Sequence, residues 1–317
     1  MERGENMAPI RLALIAGGTS GEREVSLKGA AEVEKALDRN KYEVIRFDPA
    51  TDLAALAQRA SEIDAAFILL HGLKGEDGTV QGFLDLLDIP YQGAGVLGSA
   101  LAMDKNLAKE LYRQSGLPVA PWKMAAKADI EDPSHLLKTL SLPVVVKPVK
   151  QGSSLGMSIV KEPEELAPAL KRAFDKDNQV MIEQYIKGRE ITVGVLGNDE
   201  LTALPLVEII PGEKYEFFDY EAKYQPGATR EVCPAPVSEE IRGKAQAYGL
   251  AAHRALRLRG YSRTDMVIAE DGEIYLLETN TIPGMTPTSL LPQAAAAYGL
   301  SFSALLDRLI ELALEGR

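Results

Sequence analysis

Cysteine is almost missing from this chain: Cys233 is the only one in 317 residues. An internal disulfide is therefore excluded. With only His71, His135 and His253 beside it, a zinc site built from Cys and His is disfavoured. Basic residues are in deficit, 35 Lys+Arg against 46 Asp+Glu, for a net charge of −11. That balance argues against a broad nucleic-acid or anionic-membrane surface, since both need clustered Lys and Arg. It leaves room for a small anion held by a local cluster. No apolar run approaches the roughly 20 residues that cross a bilayer, and the stretch 10–16 contains Arg11. Glu2 and Glu5 spoil the basic start of a secretory signal, so the expected location is the cytoplasm. Residues 1–6 precede a second methionine, Met7, and are set aside from fold reasoning. Repeats and low-complexity tracts are missing. So are the G-x-G-x-x-G dinucleotide fingerprint, the P-loop order and the G-x-S-x-G elbow of serine hydrolases.

What is present is an ordinary globular balance, 46% hydrophobic and 26% charged. A chain this long divides into two or three lobes more readily than it forms one core. The first third alternates strand-like and helix-like runs. Residues 11–16 (RLALIA), 42–47 (YEVIRF) and 65–70 (AAFILL) read as strands, and 25–37 and 53–60 as helices. A β-α-β-α-β order predicts a parallel sheet covered on both faces, with ligands beyond the carboxyl ends of its strands. Two loops leave those ends, 17–25 (GGTSGEREV) and 71–79 (HGLKGEDGT).

The middle third reads as a smaller α+β lobe. Helical periodicity spans 96–114, followed by a strand at 142–147, a Gly/Ser loop at 150–156, a strand at 157–161, a helix from 164 to about 175 and a strand at 179–184. The Lys187-Gly188-Arg189 step reads as a lobe boundary. Strands at 191–196 and 201–210 open the last third. A Tyr-rich loop (211–227), a long helix (239–258), a hairpin (265–269 and 273–278) and helices after Pro287 and Ser301 complete it.

The sharpest chemistry lies in that hairpin. Asp265 opens one strand, Glu278 ends the next, and Asn280 follows. Antiparallel pairing brings these three hard oxygen donors together, a set that suits Mg²⁺ with phosphate oxygens as further ligands. Arg263 points a permanent charge at the same place. The same residues read equally well as a hairpin with solvated polar ends. Lys147 ends an apolar strand before the Gly/Ser loop, where a lysine meets phosphate oxygens and Gly152 and Gly156 admit backbone N–H groups. A solvated lysine on an ordinary surface loop is the plainer reading. Lys105, alone, reads as a surface lysine. The 183–186 segment offers extended backbone to an adenine edge at a lobe junction, with Glu190 near enough to accept from ribose hydroxyls. Glu22 either fixes an ammonium group or is an acid favoured at a helix N-terminus. Cys233, before Pro234, reads as a small core residue.

Taken together and in order, the strings GGTSGEREVS (17–26), HGLKGEDGTVQG (71–82), AMDK (102–105), LPVAPW (117–122), VVKP (145–148), QGSSLGMS (151–158), EAKY (221–224), SRTDMV (262–267) and LETNTIPGMTPTSL (277–290) resemble the D-alanine–D-alanine ligases of the ATP-grasp superfamily. The match runs from about residue 10 to the C-terminus. The resemblance implies an α/β fold: an N-terminal parallel α/β lobe (1–95), then a two-lobed ATP-grasp α+β module with a central lobe (96–188) and a C-terminal lobe (189–317). It implies ATP held by Lys105, Lys147, Glu183, Ile186 and Glu190. Asp265, Glu278 and Asn280 would bind two Mg²⁺, for which Mn²⁺ would substitute. Glu22 would take the first D-alanine's ammonium in a trio with Ser153 and Tyr224, and His71 would lie by its carboxylate. Lys223 would approach the transferred phosphoryl group. Ser289 and the Leu290 backbone would receive the second D-alanine, and Arg263 with the Gly284 N–H the oxyanion.

The resemblance further implies a homodimer joined through the N-terminal lobe, with no nucleic-acid or membrane partner. In relatives that make D-alanyl-D-lactate a Phe tends to replace the residue here filled by Tyr224, so the expected second substrate is an amine. Two rivals stand beside this reading: another ATP-grasp carboxylate–amine ligase, and a non-catalytic nucleotide-binding regulator on the same fold. The GEREVS, HGLKGEDG and EAKY strings oppose the first; retention of Arg263, Asp265, Glu278 and Asn280 opposes the second.

Overall fold

The computed structural model describes residues 8–212 and 229–315. Lys223, Tyr224 and most of the expected Tyr-rich loop lie outside the described residues, as do residues 1–6. Three sheets organise the described residues. In the first, β1 (Ile10–Ile15) lies between β2 (Tyr42–Phe47) and β3 (Ala65–Ile68), all parallel, as the β-α-β-α-β order requires. Helix α1 (Arg23–Ala36) connects β1 to β2, and α2 (Leu53–Gln58) lies between β2 and β3. An unanticipated helix, α3 (Thr79–Leu86), follows the 71–79 loop.

The central sheet runs β4 (Trp122–Ala125), β7 (Val180–Gln184), β5 (Val144–Pro148), β6 (Ser158–Val160), all antiparallel. Helix α6 (Leu166–Phe174) buries Leu166, Ala169, Leu170 and Ala173 against it, a one-sided stripe at helical spacing. The third sheet orders β11 (Thr229–Val232), β10 (Val207–Pro211), β8 (Gly188–Leu196), β12 (Tyr261–Ala269) and β13 (Ile274–Asn280), and short β9 (Thr202–Ala203) pairs with the end of β8. The expected single strand over 201–210 is thus two. The hairpin strands are longer than expected: β12 starts four residues earlier because β8 pairs along its whole length, from Tyr261↔Leu196 to Ala269↔Gly188.

The helical stretch expected over 96–114 is also two elements, α4 (Val96–Met103) and α5 (Lys105–Gln114). Asp104 leaves helical geometry (φ −86°, ψ 97°), and its carboxylate accepts the Leu107 N–H at 3.0 Å. This N-cap satisfies an orphan donor of the new helix and makes Lys105 its first residue. Both helices pack their apolar faces on the third sheet: Ala102, Ala108 and Tyr112 share a core with Ile191, Val193 and Leu276. The long helix α7 (Glu239–Ala255) joins that core through Ala245 and Ala252.

Two further helices, α8 (Leu290–Tyr298) and α9 (Phe302–Glu315), close the chain. The last returns to the first lobe: Leu305, Leu306, Leu309 and Leu312 share a core with Leu12, Leu14 and Phe67. Its Asp307 accepts from Lys41 Nζ at 2.7 Å and the Tyr42 hydroxyl at 2.9 Å. Lobe boundaries along the chain therefore differ from boundaries in packing. A second tie between lobes is Gln92. Its amide takes the Ile68 N–H (2.8 Å) and donates to the Ile68 carbonyl (2.7 Å) and the Tyr261 hydroxyl (3.2 Å), acting as a one-residue strand on β3. These ties set the first lobe against β12, the strand that carries Arg263 and Asp265. No helix among the described residues is long and apolar enough to cross a membrane. Cys233 is half-buried against the core shared by the first and last lobes.

Candidate active site

Two large cavities meet around Glu278. The first, of about 460 Å³, lies between the central and third sheets. Lys105, Lys147, Glu183, Ile186, Glu190, Asp265 and Glu278 line it, so every residue expected around ATP faces one cleft. The second, of about 840 Å³, lies between the first lobe and the third sheet. It is lined by Glu22, His71, Ser153, Arg263, Glu278, Asn280, Gly284, Ser289 and Leu290. Lys223 and Tyr224 fall outside the described residues.

The hairpin does what antiparallel pairing predicts: Arg263 stands opposite Asn280 and Asp265 opposite Glu278, with an irregularity just beyond Asp265. Residues two apart on a strand share a face, so all four side chains converge. Arg263 donates two hydrogen bonds to the Asp265 carboxylate, at 2.8 and 2.7 Å. The Thr192 hydroxyl (2.6 Å) and the Asn280 amide (3.1 Å) donate to the same group. Burial disfavours the charge on Arg263, and the Asp265 carboxylate more than offsets it, raising the guanidinium pKa further. Lys105 Nζ lies 3.2 Å from Glu278 Oε2 and donates to the Gln151 carbonyl at 2.9 Å, bridging the hairpin to the Gly/Ser loop. Two carboxylates and an amide on one face, each carboxylate balanced by a side-chain cation, form a hard-oxygen set suited to Mg²⁺. The Tyr112 hydroxyl donates to Thr279 Oγ1 at 2.7 Å, which fixes α5, and with it Lys105, to the metal-type strand.

In the nucleotide-sized cleft, Glu183 departs from a simple adenine contact. Its side chain is buried and bonded to Lys147 Nζ at 2.5 Å, with Lys109 Nζ 2.9 Å from the other oxygen. Burial alone would push this carboxyl up; Lys109 and Lys147 outweigh it and bring the pKa to about 2. All four residues from Glu183 to Ile186 line the cleft.

In the second cavity, Ser153 donates to the buried Glu22 carboxylate, joining loops from different lobes. Ser153 and Ser154 both adopt left-handed backbone conformations (φ 49° and 58°). Non-glycine residues rarely do so, and such strain gathers at ligand clamps. A side chain at Gly152 would meet Glu22 Oε2 at 3.2 Å, so any larger residue would crowd the carboxylate where the loop approaches it. Burial lowers the His71 pKa and the Arg263 charge lowers it further, against Glu22 and a hydrogen bond with the Ile282 backbone. The ring is neutral near pH 7. Ser289 occupies the N-cap position of α8, bonded through its hydroxyl to the Thr286 N–H (3.1 Å), and Leu290 is the first helical residue. Free N–H groups at a helix start favour a carboxylate. Gly284 packs so closely on Ser289 that an added Cβ would stand 3.1 Å from its hydroxyl.

Sequence reasoning missed two groups. Lys109, fully buried, carried only the signal of standing one turn beyond Lys105. Glu76, inside HGLKGEDG, lines the cavity with Glu22 and Glu278; its carboxyl is pushed up to about 8 by burial despite the Gly72 N–H it accepts at 2.7 Å.

Two antiparallel sheets closing on a nucleotide-sized cleft, behind a parallel α/β lobe, define the class: this is an ATP-grasp fold. The family model for the D-ala D-ala ligase C-terminus matches residues 111–311, and that for the N-terminus matches 48–94. The D-alanine--D-alanine ligase of Desulfotalea psychrophila is 62% identical over 307 residues, covering 96% of this chain and 95% of that protein. Among solved structures, the D-alanine--D-alanine ligase of Bacillus anthracis complexed with ATP superposes with a TM-score of 0.84 at 37% identity, covering 97% of this chain and 98% of that one. The VanG D-Ala:D-Ser ligase of Enterococcus faecalis gives 0.84 at 33% identity, covering 96% and 99%. The chain belongs to the D-alanine–D-alanine ligase family.

Proposed function

We propose that this protein joins two D-alanines into D-alanyl-D-alanine for peptidoglycan precursor synthesis, releasing ADP and phosphate through D-alanyl phosphate. The observation that carries the reading is Glu278 as a shared wall: it lines both the cleft with Lys105 and Lys147 and the cavity with Glu22, Arg263 and Ser289. A phosphoryl donor in one space and an acid in the other meet there. The B. anthracis relative, solved with ATP, supports a nucleotide in the first.

A carboxylate resists attack by an amine, so it must first be activated. In our reading Lys105 and Lys147 hold the ATP phosphates, the 183–186 backbone the adenine and Glu190 the ribose. Asp265, Glu278 and Asn280 would hold two Mg²⁺ or Mn²⁺ ions, which when bound would supply positive charge to the transferring phosphoryl group. Glu22 binds the ammonium of the first D-alanine, with Ser153 and Tyr224 completing its hydrogen-bonded trio. Neutral His71 lies by that substrate's carboxylate, and Lys223 approaches the phosphoryl group. The carboxylate oxygen attacks the γ-phosphorus and ADP leaves. Ser289 and the Leu290 N–H orient the second D-alanine, whose amine attacks the acyl carbon. Arg263 and the Gly284 N–H take the oxyanion, and phosphate departs. Closure of the Gly/Ser loop over Glu22 excludes the water that would hydrolyse the acyl phosphate.

The division we propose is into lobes 1–95, 96–188 and 189–317; the first cleft is lined from the second and third of these and the second cavity from all three. A cytoplasmic homodimer joined through the first lobe accords with the exposure of Leu86 (85%) beside that sheet. Phosphate release with ATP, Mg²⁺ and D-alanine, with L-alanine as control and D-serine and D-lactate as competing acceptors, tests the reading. D-alanine-dependent release yielding the D-alanine dipeptide is expected. No release, or preferential ester or D-alanyl-D-serine formation near neutral pH, refutes the substrate assignment.

A further inference from the structure

The mechanism above uses Lys147 and Glu183 and leaves unexplained the lysine behind them. Lys109 sits one turn beyond Lys105 on α5, on the same helix face, with no solvent exposure. Its Nζ lies 2.9 Å from Glu183 Oε2 and 5.1 Å from the centre of the Trp122 ring. Trp122 stands opposite Glu183 in the β4–β7 register and is anchored by its indole N–H to Asn106 Oδ1 at 2.8 Å. Lys147 Nζ takes the other Glu183 oxygen at 2.5 Å. Lys147 and Glu183 line the nucleotide-sized cleft, while Lys109 lies behind its wall.

Taking an ammonium group fully out of water is costly, and a simple Lys147–Glu183 pair has no need of a second lysine. Charge counting shows what it does. A carboxylate 2.5 Å from Lys147 cancels most of that lysine's field at any phosphate farther away. With Lys109 on the opposite oxygen, the trio carries one net positive charge, and only Lys147 presents it to the cleft. We propose that Lys109 is a positioning residue for ATP: it neutralises Glu183 from behind, so that Glu183 orients Lys147 without extinguishing its charge toward the nucleotide phosphates. This rests on the reading that ATP phosphates lie by Lys147. The ordering of Glu183 as an ionised group, with its pKa brought down to about 2 against burial, agrees with two cations sharing it.

The test compares wild type, Lys109→Arg, Lys109→Met and Lys109→Met/Glu183→Gln. ATP affinity is measured with Mg²⁺ by calorimetry in the absence of D-alanine, and KM for ATP and kcat by phosphate release. Lys109→Met makes the pair neutral and should weaken ATP binding by about tenfold, raising KM more than it lowers kcat. Removing the Glu183 charge as well restores a single positive charge and should recover at least about threefold of the lost ATP affinity, short of wild type because Glu183 no longer orients Lys147. Lys109→Arg keeps the charge and should stay within about threefold. A purely structural lysine predicts the opposite for the double variant, which loses two buried partners rather than one. A double variant that binds ATP no better than Lys109→Met, or a Lys109→Met that binds like wild type, overturns the proposal. If Lys109→Met does not fold, the double variant, whose one remaining charge of the trio stands on Lys147 at the cleft, decides alone: a loss of ATP affinity smaller than about tenfold supports the proposal and a tenfold or greater loss overturns it. Affinity is read without D-alanine, so failure of the D-alanine assignment leaves this comparison intact. A wild type that binds no ATP overturns both.

Discussion

Replacing Arg263 by Met removes a charge while keeping an unbranched apolar stem of similar length. The guanidinium makes two hydrogen bonds to Asp265, at 2.8 and 2.7 Å, and the two side chains are only 13% and 16% exposed. Breaking a buried pair from one side costs about 3–5 kcal/mol, because the remaining ion is stranded. Asp265 is not wholly stranded here: Thr192 at 2.6 Å and Asn280 at 3.1 Å still donate to it. The lower end, about 3 kcal/mol, is therefore expected for Arg263→Met at neutral pH without nucleotide or metal. Adding Asp265→Asn removes the stranded charge and should recover about 2 kcal/mol of that loss. Urea denaturation followed by circular dichroism reads both numbers, provided the slope with denaturant is the same in each variant. In the single variant kcat should fall by about 10²–10³-fold with little change in ATP affinity, if the lost donor acts on the oxyanion as we propose. A stability loss below about 1 kcal/mol, or a double variant less stable than the single one, refutes the pairing argument.

Glu278→Gln should lower phosphate release by at least about 100-fold while leaving the circular dichroism spectrum unchanged, because a neutral amide would not replace the charge of the carboxylate that lines both cavities and that we propose as a metal ligand; near-normal turnover with normal Mg²⁺ dependence contradicts the metal assignment. Glu76 carries the opposite pH signature to a salt-bridged acid. Its folded pKa is raised from 4.5 to about 8, so the folded protein keeps a proton that the unfolded chain has released. Its contribution is full below about pH 4.5 and is lost as pH rises toward 8. Glu76→Gln should flatten the decline in thermal stability over that window; an unchanged decline shows that other groups cause it.

Much of the site was legible because its chemistry is local. Asp265, Glu278 and Asn280 flank a turn, so antiparallel geometry brings them near one another, but the pairing Asp265↔Glu278 depends on the irregularity between Asp265 and Met266: continued regularly from Met266↔Leu276, the ladder would set Asp265 against Leu277. Lys147 ends a β-branched run, Val144 to Val146, whose strand character is written in its residues. The break between α4 and α5 had its signal too, in Asp104 ahead of Lys105, but an apolar period running through both helices hid it. The split within 201–210 had its signal as well: Pro205, which has no N–H to give a ladder, falls between β9 and β10, but the apolar residues around it hid the break.

Sequence suffices for the strand and helix alphabet of each lobe, for placing the oxygen donors on one hairpin and for the family to which the ordered motifs belong. Those features depend on residues near each other in the chain and on side-chain chemistry that neighbours do not change. Tertiary structure alone decided that α9 covers the first sheet, that Ser153 reaches Glu22 across lobes, and that Glu183 serves two lysines. Lys109 shows the reason most plainly. A lysine on a helix reads as solvated, because exposure is its lowest-energy state in isolation. Only the packing of Trp122 and Glu183 around it, contributed by strands distant in the chain, makes burial of its charge favourable.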